Sequence, residues 1–410
     1  MHVVRPGSVE LREHVATLTG GLAVRRCEPI VVGPLDRALR DELSRRGVRW
    51  VNLPLAATPS RPELRESAEH VTRLLDNAAP SLVHAHGLPA IVTVHLALRG
   101  RRPRPRLVCA PHGVPQAPAS GVLPRVAGRW GGGGAFRGCD AVIAGSACEA
   151  AALDVLAPRG RVRVVPYGVE RRRRSSVFDA GQKRRAVGLH QDAAVVVVSA
   201  PLVADGPLPG FLHAAALVSE RVANVEFAVL GEGPDAEALK ALAHELRLSG
   251  STTFLGQRPD SRDVMAAGNI VAVIADDAGG QVQALAGLAA GLRLVAADTP
   301  AARELVRGVP SIPLVDLGDP QAFADAILEQ LEGLTVEEEE IQANTGMAWG
   351  LSEVLASQDE FDLDRPGLDP RDRGKEATSD IERLLAQHSV EAMVVGTMRV
   401  YEEVLGTASA

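Results

Sequence analysis

The residues of this chain that could do chemistry are a few histidines and a few glycine turns. "APHG" puts His112 at the end of an apolar run and before a glycine, where an imidazole can donate or accept a hydrogen bond beside a ligand. "LVHAHG" carries His84 and His86, expected here to point to opposite faces of one strand, with His86, nearer the carboxyl end, the better site candidate. Gly231 and Gly233 in "VLGEGP", Gly279, Gly280 and Gln281 in "AGGQVQ", and Gly7 and Ser8 in "RPGS" form turns that precede helices. Backbone N–H groups at such turns can receive a phosphate. Between Ala278 and Arg293 there is no charged side chain, so recognition there would rest on backbone alone. Each motif also has a purely structural reading: a histidine satisfied by loop backbone, or a turn that any fold needs.

The elements that must position these residues alternate in type. "PIVVGP" (29–34), "SLVHAHG" (81–87), "RLVCAPHG" (106–113) and "DAVIAGS" (140–146) are short apolar runs ending in Gly, Ser, Pro or His. Such runs fit strands of a parallel sheet buried on both faces. Helical spacing separates them, as in "PELRESAEHVTRLLDNA" (62–78). A second series follows with "AAVVVVSAPL" (193–202), "VEFAVLGEGP" (225–234), "TTFLGQ" (252–257), "NIVAVIAD" (269–276) and "LRLVAAD" (292–298). Alternating strands and helices predict an α/β fold, with ligands outside the carboxyl ends of the strands.

At 410 residues the chain is long enough for two domains. The expected division is 1–165, a linker at 166–176 marked by Pro, Gly and four arginines, 177–333, an acidic insertion at 334–387 with little periodicity, and a terminal helix at 388–410. In that helix Ala392, Val395, Met398 and Val400 or Tyr401 are the residues available to pack. A net charge of −7 argues against a nucleic-acid partner. The four cysteines have no metal-ligand spacing and are expected as buried free thiols of a reducing compartment. There is no signal peptide and no run of the ~20 apolar residues a membrane span needs, so the expectation is a cytoplasmic protein, with peripheral membrane contact left open.

Taken in order, "LVHAHG", "APHG", "DAVIAGS", "VRVVPYGVE", "VLGEGP", "TTFLGQ" and "LAAGLRLVAADTPAARELV" resemble glycosyltransferase family 4. The resemblance implies a GT-B fold of two facing Rossmann-like domains with a cleft between them. It also implies retaining transfer of a hexose from a nucleotide-diphosphate sugar to a glycan or lipid-linked acceptor, in cell-surface or exopolysaccharide synthesis, with no metal or other cofactor. By that resemblance His112 faces the donor sugar; Gly231, Gly233, Gly279, Gly280 and Gln281 lie on the donor side; Gly7, Ser8 and His86 lie on the acceptor side. Departures accompany it. Ala200 and Asp205 in "SAPLVADGP" stand where the family commonly has an Arg and a Lys for the diphosphate, and Ala278 and Ala286 stand in place of its two glutamates. The expectation is therefore a glycosyltransferase-like protein of weak or lost activity, or a non-catalytic relative that partners or regulates an active paralogue.

Overall fold

The computed structural model describes residues 1–5, 9–56, 59–113, 134, 136, 138–171, 177–258, 261–275, 278–345 and 370–406. The chain divides into two units. Unit 1 is Met1–Val169 with Asp277–Gly279 and Gln387–Ala410; unit 2 is Glu170–Asp276 with Gly280–Ala386.

Unit 1 has strands β1 (His2–Val4), β2 (Ile30–Gly33), β3 (Arg49–Asn52), β4 (Leu82–His86), β5 (Arg106–Ala110), β6 (Ala141–Ala144) and β7 (Val162–Val164), interleaved with α1 (Val9–Val24), α2 (Arg37–Arg45), α3 (Arg61–Ala78), α4 (Leu88–Leu98) and α5 (Ala147–Leu153). Its sheet is parallel, in the order β3-β2-β1-β4-β5-β6-β7. Strand order reverses at the β1/β4 pair, where His2 lies opposite His84 and Val4 opposite His86. Local chemistry sets the helix ends. In α3, Ser60 and Glu63 form a reciprocal capping box, and Leu64, Ala68, Val71 and Leu75 repeat three or four apart on the buried face.

Unit 2 repeats the plan with β8 (Ala194–Ser199), β9 (Val225–Leu230), β10 (Thr252–Gly256), β11 (Ile270–Val273), β12 (Arg293–Ala297) and β13 (Leu314–Val315). The helices are α6 (Val177–Ala186), α7 (Leu208–Arg221), α8 (Ala236–Glu245), α9 (Ser261–Ala267), α10 (Ala278–Ala289), α11 (Pro300–Leu305), α12 (Pro320–Thr345) and α13 (Pro370–Gln387). The strand order is β10-β9-β8-β11-β12-β13, again parallel. "AVVVVS" has no buried polar side chain to satisfy, so β8 forms the middle of a dry core with Phe211, Phe227 and Phe323 packed edge to face.

The last helix, α14 (Val390–Leu405), packs against α1 in unit 1. Gly21 makes that approach close: a Cβ there would sit 2.5 Å from Val394 Cγ2. The buried residues are Met393, Val394, Thr397 and Val400, while Ala392 is exposed, so the packed stripe lies to one side of the spacing read from sequence. Ser389 caps this helix, accepting from Ala392 N–H at 3.2 Å.

Two expectations are corrected here. Cys109 and Cys139 are not free thiols: their Cα atoms lie 6.5 Å apart and a disulfide joins them. Cys109 is the fourth residue of β5 and Cys139 immediately precedes the turn into the neighbouring β6, a proximity set by sheet pairing rather than by spacing in sequence. The cysteines therefore give no argument for a reducing compartment. The stretch 334–387 is also not irregular throughout, since α12 runs through 345 and α13 covers Pro370–Gln387. Glu, Gln and Ala dominate 336–343 and are strong helix formers, so local propensity favours the continuation of α12 through this stretch. The part between the helices, 346–369, lies outside the described residues.

Candidate functional site

The site is built from β4. Side chains on a strand alternate, so residues two apart share a face. His84 and His86 therefore point the same way, contrary to the opposite faces assigned above, and their ring centroids are 4.0 Å apart. The parallel register brings His2 against both. His86 Nε2 lies 3.0 Å from His2 Nδ1, and on its other side His86 Nδ1 lies 2.9 Å from His112 Nε2. His112 Nδ1 then meets the Tyr167 hydroxyl at 3.3 Å. His84 Nδ1 meets the Tyr401 hydroxyl, carried by α14, at 2.6 Å. His14 on α1 stands edge-on to the His112 and Tyr167 rings, with centroids 4.8 and 5.2 Å away.

A string of imidazoles thus runs through the switch point of the unit 1 sheet. His86 is fully buried, and His84, His2 and His14 are only 1, 3 and 9% exposed. Burial holds the pKa values of His2, His84, His86 and His112 well below the ordinary imidazole value, and their mutual repulsion adds to it for His84 and His86. Burial brings His14 down to about 4. All five rings are neutral at pH 7. Both His112 nitrogens are engaged, by His86 and by Tyr167, so it offers a ligand no spare nitrogen without breaking one of these contacts.

The turn that aims His112 is fixed from outside the motif. His112 and Gly113 both adopt left-handed backbone, at φ +54° and +94°. That is uncommon for a histidine and survives where surrounding contacts impose it. Glu149 supplies one such contact: its carboxylate accepts from Gly113 N–H at 3.0 Å and from Gly145 N–H at 2.7 Å, tying the loop after β5 to the turn before α5.

The glycine turns of unit 2 have a steric origin. Gly231 has φ +135°, and a Cβ there would lie 2.0 Å from the Ala200 carbonyl oxygen. A Cβ on Gly233 would lie 2.2 Å from that of Leu202. The loops after β8 and β9 are thus in backbone contact, and Asp235 adds a bond from Ala204 N–H at 2.9 Å. Beyond the ends of β8, β9 and β10 these loops border an open cavity of about 600 Å³, lined by Leu202, Gly231, Glu232, Gly233, Lys240 and Phe254 among others. That volume is of the size small-ligand sites have. Gly280 is likewise needed for packing, since a Cβ would lie 2.3 Å from the Ala275 carbonyl. Gln281 is 8% exposed within α10. Gly7 and Ser8 lie outside the described residues.

The structure thus places His86 and His112 in one histidine cluster and Gly231 and Gly233 at the edge of a cavity, beside His2, His14, Tyr167, Tyr401, Glu149, Lys240 and Phe254, which the sequence reading did not single out as site residues. Only His2 left a legible signal, a histidine inside the first apolar run. The others come together through helix packing and loop closure.

Two units of one strand order, each with polar or open ground beyond its strand ends, define a pair of Rossmann-like folds in a single chain. A family profile described as "Glycosyl transferase 4-like domain" matches residues 11–168, and one described as "Glycosyl transferases group 1" matches 195–333. The EpsD protein of Bacillus subtilis (strain 168), a glycosyltransferase by name, is 25% identical over 289 residues, 68% of this chain and 74% of its own. Anabaena Alr3699/HepE, solved in complex with UDP and glucose, superposes with a TM-score of 0.70 at 19% identity over 98% of this chain and all of its own. Sucrose-phosphate synthase from Thermosynechococcus elongatus gives 0.66 at 15% identity over the whole of both chains. The chain belongs to the family 4-like glycosyltransferases and has the GT-B fold. No helix among its described residues is long and apolar enough to cross a membrane.

Proposed function

We propose that this protein descends from retaining, nucleotide-sugar-dependent hexosyltransferases of cell-surface or exopolysaccharide synthesis, and that its own turnover is weak or lost. It then acts in the cytoplasm beside an active paralogue, as partner or regulator. The observation that carries this reading is the loop 199–207. Ala200 is buried at 4% exposure and its backbone N–H is bonded to Leu230, while Asp205 is exposed, at the two positions where the family resemblance puts cations for the donor diphosphate. Losing two charge-assisted contacts and one ribose contact, at ~1.5 kcal/mol or more each, weakens a donor by over ~4 kcal/mol, about a thousandfold. The engaged nitrogens of His112 point the same way.

Nucleotide binding itself persists in this reading. The cavity beside Gly231 and Gly233 offers an aromatic ring in Phe254, backbone N–H groups, and a Lys240 ammonium that now bonds Glu237 at 2.8 Å. The UDP complexes of the Anabaena structure make UDP and UDP-glucose the first ligands to try. Calorimetric titration of both is expected to give millimolar or weaker binding, with transfer far below that of an intact relative. Micromolar binding together with transfer that His112→Ala abolishes would overturn the proposal and restore an ordinary enzyme.

A further inference from the structure

We propose that His14, His86 and His112 form a binding site in unit 1 for one divalent transition-metal ion of the zinc class. One nitrogen from each lies within 4.8 Å of the others. Three imidazoles bonded to one zinc at about 2.0–2.1 Å have their nitrogens no more than about 4.2 Å apart, so binding draws the rings slightly together and replaces the hydrogen bond between His86 Nδ1 and His112 Nε2.

Three further observations point to a ligand there. His14 Nδ1 is buried and makes no hydrogen bond. An unanswered buried nitrogen is costly, and a metal ion would answer it. The rings come from α1, from β4 and from the loop after β5, so rigid elements bring together residues 26 to 98 positions apart. The loop is held independently by Glu149. The outer nitrogen of His112 is bonded by Tyr167, as ligating histidines are normally oriented by a partner on the nitrogen away from the metal.

A second trio, His2, His84 and His86, has equally close nitrogens and an unbonded His84 Nε2. It is 0–3% exposed throughout and offers an ion no entry. Both trios use His86, through opposite nitrogens. The outer trio, with His14 at 9% exposure and His112 half-buried, is the one an ion can reach. Three nitrogens leave a tetrahedral ion one open position, the arrangement that takes water or a ligand from solution.

The test is titration of the full chain, stripped with a chelator, with Zn2+ by calorimetry and with Co2+ followed by its visible ligand-field absorption. One equivalent of each is expected, with a spectrum showing low coordination number. His14→Gln and His112→Gln should each weaken binding by more than the roughly 10–100-fold that orienting partners contribute, and Tyr167→Phe by about tenfold. His84→Gln should leave it in place. Melting curves of each metal-free variant separate lost ligation from lost folding. No stoichiometric binding to the wild-type chain would overturn the proposal. So would binding that His84→Gln removes and His14→Gln leaves intact, since the ion would then occupy the inner trio.

Discussion

The two units share one strand order, yet the ground at the middle of each sheet is filled by opposite means. In unit 1 the reversal point between β1 and β4 is occupied by His2, His84 and His86, linked onward to His112, Tyr167 and Tyr401. In unit 2 the matching strand β8 is Ala and Val up to its final Ser199, and the space beyond β8 to β10 is an open cavity edged by glycines. The difference teaches that this fold does not require an empty crevice at each reversal point. One sheet fills its reversal point with neutral polar rings, while the other leaves a cavity beside β8 to β10, edged by glycines whose backbones touch the neighbouring loop. The first solution is sensitive to protons and metal ions. The second is sensitive to any added atom.

The largest effect expected is therefore acid lability confined to unit 1. Above about pH 6.5 folded and unfolded chains both carry neutral imidazoles, and these groups leave stability unchanged. Below it the unfolded chain takes up protons that the buried rings refuse, so stability falls with pH by ~1.4 kcal/mol per group per pH unit. For His14 alone, held down to about 4, the fall reaches roughly 3 kcal/mol, and His2, His84, His86 and His112, which burial holds down in the same direction, add to it. Scanning calorimetry of chelator-treated protein at about pH 7 and pH 5 should show one of two transitions collapsing. Two transitions falling in parallel would break the comparison.

The next effect belongs to unit 2. Phe227→Ala opens a void among Phe211, Val196 and Val229 and should cost ~3–5 kcal/mol in the transition that acid spares. Gly231→Ala should cost about 2–4 kcal/mol there, because a Cβ cannot share space with the Ala200 carbonyl and the φ of +135° is foreign to alanine. A Gly231→Ala protein with an unchanged melting temperature would mean that the loops after β8 and β9 are not in contact.

The smallest effect sharpens the contrast from the other side. Tyr401→Phe removes the hydroxyl bonded to His84 Nδ1 and leaves a ring whose Nε2 is already without a partner. A loss of ~1–3 kcal/mol is expected in unit 1, since the orphaned nitrogen bears its full desolvation cost. Urea denaturation that cannot tell the variant from the wild type would show that His84 is satisfied some other way.

Much of this was legible in the sequence. The apolar runs gave the strands, since "AVVVV" can only lie between covered faces, and the helical spacing over 62–78 marked a helix that the structure keeps as α3 (Arg61–Ala78). His112 and His86 were legible as strand-end imidazoles. Their surroundings were not, because His14, Tyr167 and Tyr401 reach them from α1, the segment after β7 and α14. The disulfide escaped for the same reason: thirty residues separate Cys109 from Cys139, and only the pairing of β5 with β6 brings them together.

By itself, then, the sequence determined what neighbours in the chain can settle: strand and helix periods, the order of the α/β units, and the glycines before helices. Those properties depend on interactions a few residues long. Tertiary structure decided which polar groups meet and what state they hold. It turned two histidines of one strand into a buried chain of five neutral rings, because parallel register and helix packing set both distance and dielectric. It also made Gly231 and Gly233 steric necessities, because only the folded chain brings the carbonyls of Ala200 and Leu202 within van der Waals reach of them.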